Sequence, residues 1–232
     1  MLYLRGNKWD YDNWAAMGCP GWSYDEVLPI FKRSEHNERG ADAWHGGDGP
    51  LNVSDQCDPH PGSIEFVEAA RQLQIPLNED FNGARQDGVG VYQVTQKGGE
   101  RWSSSRAYIE SAGKRANLEV LTDVIAERVL FDEGHAWGVA YLQDGEAKVI
   151  RARRAVVLAG GVFGTPQLLM LSGIGPGGHL REQGVAVRID RPMVGANLQD
   201  HVDYVAGFEV KGSYFIGQSL KGTLKSAGAI VQ

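Results

Sequence analysis

The chain has 232 residues, a formal net charge of −6, 42% hydrophobic and 22% charged residues, a composition ordinary for a soluble globular protein with one sizeable domain, or one and part of another. The negative charge, with a basic cluster limited to Arg151, Arg153 and Arg154, excludes a nucleic-acid footprint and reads as the solvated end of a strand. The 31 glycines are roughly twice the usual share; they point to tight turns or to close approach of backbone to a ligand.

In chain order, Met1-Leu2-Tyr3-Leu4 opens abruptly and leads into an aromatic-rich segment from Trp9 to Trp14, followed by a turn at Gly18 to Gly21. Ser23 with Glu26 forms a capping box for a helix through Val27, Leu28, Ile30 and Phe31. Gly46 to Pro50 is a loop. A second helix is predicted from near Pro61 to Leu73, with Ile64, Val67, Ala70 and Leu73 on one face. Residues 78–105 are loop-rich, with a strand candidate at Gly90–Val94, and Ser103–Lys114 is a further helix candidate. Leu118–Leu121, Ala126–Phe131, Ala136–Leu142 and Ala147–Arg151 are short β-type runs. Asp132-Glu133-Gly134 and Asp144-Gly145 supply turns, so the region reads as an antiparallel β-meander.

Ala155–Ala159 is a buried-type strand entering Gly160-Gly161, and a helix follows with Thr165 as N-cap and Pro166 at its first position. A strand, paired glycines and a helix start allow a phosphate or dinucleotide to approach bare backbone, although such glycines serve packing equally well. The uncharged run from Ala155 to Gly178 is long enough for a bilayer, but it holds seven glycines and two prolines and fits strand, turn and helix better. Leu220, Leu224, Ala227, Ile230 and Val231 show helical spacing up to the last residue. Both ends therefore look cut.

The one GxGxxG match, Gly173 to Gly178, follows a helix and contains Pro176, so it is not a dinucleotide fingerprint. Walker, GxSxG, HExxH and EF-hand patterns are missing. Cys19 and Cys57 have no metal-ligand spacing and read as reduced thiols of a cytosolic protein, with no metal site. Arg5, Lys8 and Asp10 interrupt any signal-peptide core. His45, in the glycine-rich loop, and His201, after Asp200, are the best local site candidates, but no catalytic constellation emerges.

Several runs together resemble the glucose–methanol–choline (GMC) family of FAD oxidoreductases. They are Met1–Gly6 with Asp10–Trp14; Gly21-Trp22-Ser23-Tyr24 with Val27-Leu28-Pro29; His45-Gly46-Gly47-Asp48-Gly49-Pro50-Leu51; Gly164–Gly175; and Val194–His201. The stretch from Asp80 to Ser104 is especially similar to the choline dehydrogenase and aliphatic alcohol dehydrogenase branch. Val162 and Met193 depart from the family pattern at tight turns.

The resemblance implies an α/β fold with α+β elements: a partial FAD-binding domain over 1–208, lacking its GxGxxG unit, and the start of a substrate-binding region over 209–232. It implies FAD as cofactor, with Met1 and Leu2 along the flavin and Ala126 at the adenine end through backbone atoms. Ala159, Gly160 and Gly161 would pass near the dinucleotide, and Asn197 and Asp200 would lie beside the flavin or its ribityl chain. The catalytic histidine is expected downstream of Gln232, so no catalytic residue is assigned, and Met1 reads as an internal methionine. The implied reaction oxidises the CH–OH group of a small primary alcohol, choline-like or aliphatic; the electron acceptor stays open, the branch leaning toward a carrier rather than oxygen. The intact parent would be cytoplasmic, and peripheral membrane association is compatible with the branch. The alternative reading is a catalytically inert fragment without tight FAD binding of its own; an unrelated binding module rests only on the missing catalytic residues.

Overall fold

The computed structural model describes residues 2–113, 115–200 and 202–207; the predicted helix from Leu220 to Val231 lies outside these. Contacts divide the chain into two compact units, one running through Asn117 and the other beginning at Leu118.

In the first unit, helix α1 (Lys8–Ala16) forms where the sequence suggests only an aromatic-rich segment. Asn7 Oδ1 accepts the Trp9 N–H at 2.9 Å, and the Asp10 carboxylate accepts the Asn7 N–H at 3.0 Å. This reciprocal cap supports a helix that buries no residue. Helix α2 (Tyr24–Ser34) starts at Ser23 as predicted, with the Glu26 carboxylate accepting the Ser23 N–H at 3.0 Å. Tyr11 of α1 meets Phe31 of α2 edge-on at 5.7 Å.

Strand β1 (Glu35–Asn37) pairs in parallel with β2 (Leu51–Val53), and the glycine-rich loop connects them. Gly46 cannot carry a side chain, because a Cβ there would collide with the Lys32 carbonyl. Helix α3 (Pro61–Gln72) begins with proline at its first turn, and His60 caps it by accepting the Gly62 N–H at 3.1 Å. Its expected apolar face is only partly used. Ala70 is buried, whereas Ile64 and Leu73 are 47% and 77% exposed.

A small hairpin of β3 (Gln96–Lys97) and β4 (Glu100–Arg101) follows, then a π-type helix over Ser105–Glu110 that buries Ala107. Gly90–Val94 is not a strand. The Val89 N–H donates to Pro76 and the Val89 carbonyl accepts from Asn78, each at 2.9 Å, so loop bonds hold the backbone entering it. Val94 alone bridges, to Leu2 and to Ser54.

The second unit is built on an antiparallel sheet of β5 (Val124–Asp132), β6 (His135–Gln143) and β7 (Glu146–Arg151), in that order. Its turns hold Glu133 and Gly134 at φ 46° and 84°, and Asp144 and Gly145 at 54° and 79°, the left-handed pairs that match strand twist in two-residue hairpins. The meander is as the sequence predicts. Helix α4 (Gly161–Leu171) packs on β5. Just past it, Ser172 Oγ accepts the Val129 N–H at 2.8 Å and donates to the Leu168 carbonyl at 2.5 Å. Strand β8 (Ile174–Gly175), helix α5 (Gly177–Glu182) and strand β9 (Ile189–Asp190) complete a small parallel unit around buried Leu180.

Three further expectations are corrected. Leu118–Leu121 and Ala155–Ala159 are not strands, since neither has a ladder partner among the described residues; Val120 and Val157 stand 51% and 84% exposed. Helix α4 begins at Gly161, with Gly160 as N-cap, so Thr165 and Pro166 lie inside it. Pro166 cannot donate to the Val162 carbonyl, but Val162 is 62% exposed and water can serve that group. Among the described residues no helix is long and apolar enough to cross a membrane.

Candidate functional site

A cavity of about 550 Å³ lies between β5 and the first turns of α4. Ile125, Leu142, Leu168 and Leu171 give it apolar walls, and Glu127, Arg128 and Gln167 bring polar groups. Pairing with β6 shifts register between Ala126 and Arg128, and this bulge bends β5 beside the cavity. Opposite the bulge the wall is bare backbone at Gly160 and Gly164. A Cβ on Gly160 would stand 3.1 Å from Gly164 and Thr165 backbone atoms, while one on Gly164 would meet nothing within 4 Å. The Gly160 N–H is taken by Thr165 Oγ1 at 3.0 Å, which ties the junction to the helix it opens.

Of the residues predicted from the sequence, Ala126 and Gly160 line this cavity together. Gly161, at φ 76°, follows directly as the first residue of α4, and Ala159 precedes it in an exposed segment. Asn197, at φ 55°, and Asp200 are exposed and do not line the cavity. The turn before them packs on α4, where a Cβ at Gly195 would be 3.5 Å from Met170 Cε. Leu2, in the first unit, is 60% exposed and bridges Val94; Met1 and His201 lie outside the described residues. Sequence reasoning missed Arg128, Gly164 and Gln167. The recurrence of glycine at Gly160, Gly161 and Gly164 was a usable signal, and Gly164 and Gln167 lie in a run that carries the family resemblance; Arg128 carried none.

The glycine-rich motif at Gly173 to Gly178 spans the end of α4, β8 and the start of α5. There the Asp190 carboxylate accepts the Gly177 N–H at 3.0 Å, so the helix start is already engaged by an anion from within the chain.

In the first unit, His45 is buried in a polar cluster. Its Nδ1 is 3.0 Å from Glu35 Oε1 and its Nε2 is 3.0 Å from Asp80 Oδ2. Arg5 donates to Glu35 Oε2 at 2.5 Å and to the Trp44 carbonyl at 2.8 Å. Burial favours the neutral acid of Glu35, but hydrogen bonding from His45 and the charge of Arg5 outweigh it and hold the carboxyl below its ordinary range.

A strand bulge facing a helix that opens on glycine, within a mixed helix-and-strand fold, is the arrangement of the cavity. The profile of the GMC oxidoreductase family matches residues 1–203, and the chain belongs to that family. It is 44% identical to an oxygen-dependent choline dehydrogenase of Rhizobium johnstonii, over 88% of this chain and 37% of that protein. It is 45% identical to an alcohol dehydrogenase [acceptor] of Pseudomonas putida, again over 88% and 37%. The fold matches an FAD-dependent oxidoreductase from Chaetomium thermophilum with a TM-score of 0.77 and 32% identity, covering 83% of this chain and 36% of that one. The chain thus spans 37% of the length of these curated relatives.

Proposed function

We propose that this chain supplies much of the FAD-binding domain of an oxidoreductase acting on the CH–OH group of a primary alcohol, choline-like or aliphatic. The cavity shared by Ala126, Gly160 and Gly164 is the observation that carries the reading. Its residues fit the adenosine end of the cofactor: Ile125, Leu142 and Leu168 offer apolar walls to a flat ring, and the backbone at Ala126 and the side-chain-free surfaces of Gly160 and Gly164 lie against it. Arg128 and Gln167 would give polar contacts at its edge. FAD, when bound, supplies the hydride acceptor. What this chain's residues do is bind and orient; the base for the hydroxyl proton is not assigned among them. Residues 1–208 would belong to this domain and 209–232 would begin the substrate-binding region.

A second reading rests on the sequence, whose one GxGxxG match follows a helix rather than a strand: this chain would hold the adenosine end without tight FAD binding of its own. Two measurements test these readings. Titration of the chain with AMP, followed by NMR, is expected to shift the amides of Ala126, Gly160 and Gly164, and Gly164→Leu, which fills the open wall, is expected to abolish those shifts. Shifts confined to other residues would overturn the assignment of the cavity. Purification with excess FAD is expected to give no stoichiometric flavin spectrum; a yellow protein that oxidises alcohols would overturn the inert reading.

A further inference from the structure

The cluster around His45 is not used by the cofactor reading and does not depend on it. The side chains of His45 and Glu35 are 6% and 0% exposed, so their hydrogen bonds must be met within the protein. Counting hydrogens fixes the state of the ring. Asn37 Oδ1 accepts the Arg39 N–H at 3.0 Å, which sets the orientation of that amide. Gln93 Nε2 donates to Asp55 at 3.0 Å, so its Oε1 faces Asn37. Asn37 Nδ2 then has two hydrogens and three neighbours: Glu35 Oε1 at 3.0 Å, Gln93 Oε1 at 2.9 Å and His45 Nδ1 at 3.0 Å. The first two only accept, so they take both hydrogens. His45 Nδ1 is left to donate to Glu35, and Nε2 faces the second carboxylate, that of Asp80. A ring that donates from both nitrogens is an imidazolium.

We propose that His45 is held as an imidazolium and acts as a pH-sensitive latch, fastening the loop over 78–83 to β1 while protonated and releasing it on losing a proton. The charges around it are consistent with this role. Glu35 of β1 and Asp80 face the ring; Arg5, from the N-terminal segment, offsets Glu35. In His45's own loop, Asp42 accepts the N–H groups of Trp44 and His45 at 2.7 and 2.6 Å, and Lys32 of α2 donates to the Asp42 carbonyl at 2.5 Å. Arg39 and Asp55 close the far side through Asn37 and Gln93. A neutral ring has one N–H for two carboxylates. Glu35 is pinned by Arg5, whereas the Asp80 side chain is 32% exposed and can turn to water, so the Asp80 contact is the one that opens.

The release reaches further than one contact. Asp80 Oδ1 accepts the Asn82 N–H at 3.0 Å, and Asn82 in turn accepts from Arg5 N–H at 2.7 Å and donates to the Tyr3 carbonyl at 2.9 Å. The segment Tyr3–Arg5 therefore hangs on the same loop. Burial disfavours the charged ring, but hydrogen bonds to Glu35 and Asp80 outweigh it and raise the pKa above the ordinary 6.5. The sign follows: the stabilisation is complete below 6.5 and is lost as pH rises through the raised value.

The test is a histidine-labelled NMR titration of the full chain with amide exchange read at Asn82. Both ring N–H signals of His45 are expected to persist above pH 6.5, with protection at Asn82, corrected for the intrinsic rise of exchange with pH, falling as they disappear. Asp80→Asn keeps a partly exposed polar side chain in place and is expected to move the His45 midpoint downward while the chain stays folded. His45→Gln is expected to leave the Asn82 protection factor, the intrinsic rate divided by the observed one, independent of pH. A His45 that titrates at or below 6.5, or a midpoint unmoved by Asp80→Asn, would overturn the latch.

Discussion

At the scale of single residues, buried hydrogen bonds do more positional work than local pattern reveals. Ser172 is 4% exposed, and its hydroxyl joins the Val129 N–H of β5 to the Leu168 carbonyl of α4. Removing the oxygen leaves a buried strand N–H without its acceptor, which costs about 1–3 kcal/mol. Ser172→Ala is therefore expected to destabilise the second unit by that amount, read as a lower urea midpoint in far-UV circular dichroism. No change in midpoint would mean that the Val129 N–H finds another acceptor. Neither the Ser172 link nor the His45 cluster was legible in the sequence, because their partners lie far apart along the chain. Ser172 is 43 residues from Val129, and Arg5 is 77 from Asn82.

At the scale of elements, what could be read was what is locally determined. The meander was legible because each hairpin carries its own turn chemistry, and helices α2 and α3 because their starts are capped within three residues. Ala155–Ala159 has the composition of a buried strand, yet a strand exists only with a partner to bond it, and composition cannot show whether one is present. The start of α4 was misread for a related reason: proline at a first turn is the usual arrangement, and an exposed first turn tolerates it deeper. Gly145 gives a direct check on turn chemistry. It sits at φ 79°, and a Cβ there would meet nothing within 4 Å, so Gly145→Ala isolates backbone strain from packing. The cost of a left-handed alanine, about 1–2 kcal/mol, is expected as a lower thermal midpoint with the β6–β7 pairing retained by NMR. A loss of pairing would instead show that this turn sets the register of the sheet.

At the scale of the whole molecule, family membership and activity rest on different parts of the sequence. The GMC match is spread over 203 residues, whereas the cofactor cavity uses a few residues of one unit and no catalytic base is assigned. The surface near that cavity carries a physical consequence. Val157, Val162 and Phe163 are 84%, 62% and 72% exposed, and the backbone of Ala155–Ala159 has no ladder among the described residues. An apolar run with unpaired strand groups is a template for pairing with another chain. The isolated chain is therefore expected to self-associate with rising concentration and to bind the dye ANS, followed by light scattering and fluorescence. The double substitution Val157→Lys, Phe163→Ser is expected to weaken both signals while leaving the AMP-induced shift at Ala126 in place. The lysine and serine alter the exposed run without touching the residues that line the cavity. A chain that stays monomeric and dye-free would show that this run is already covered in solution.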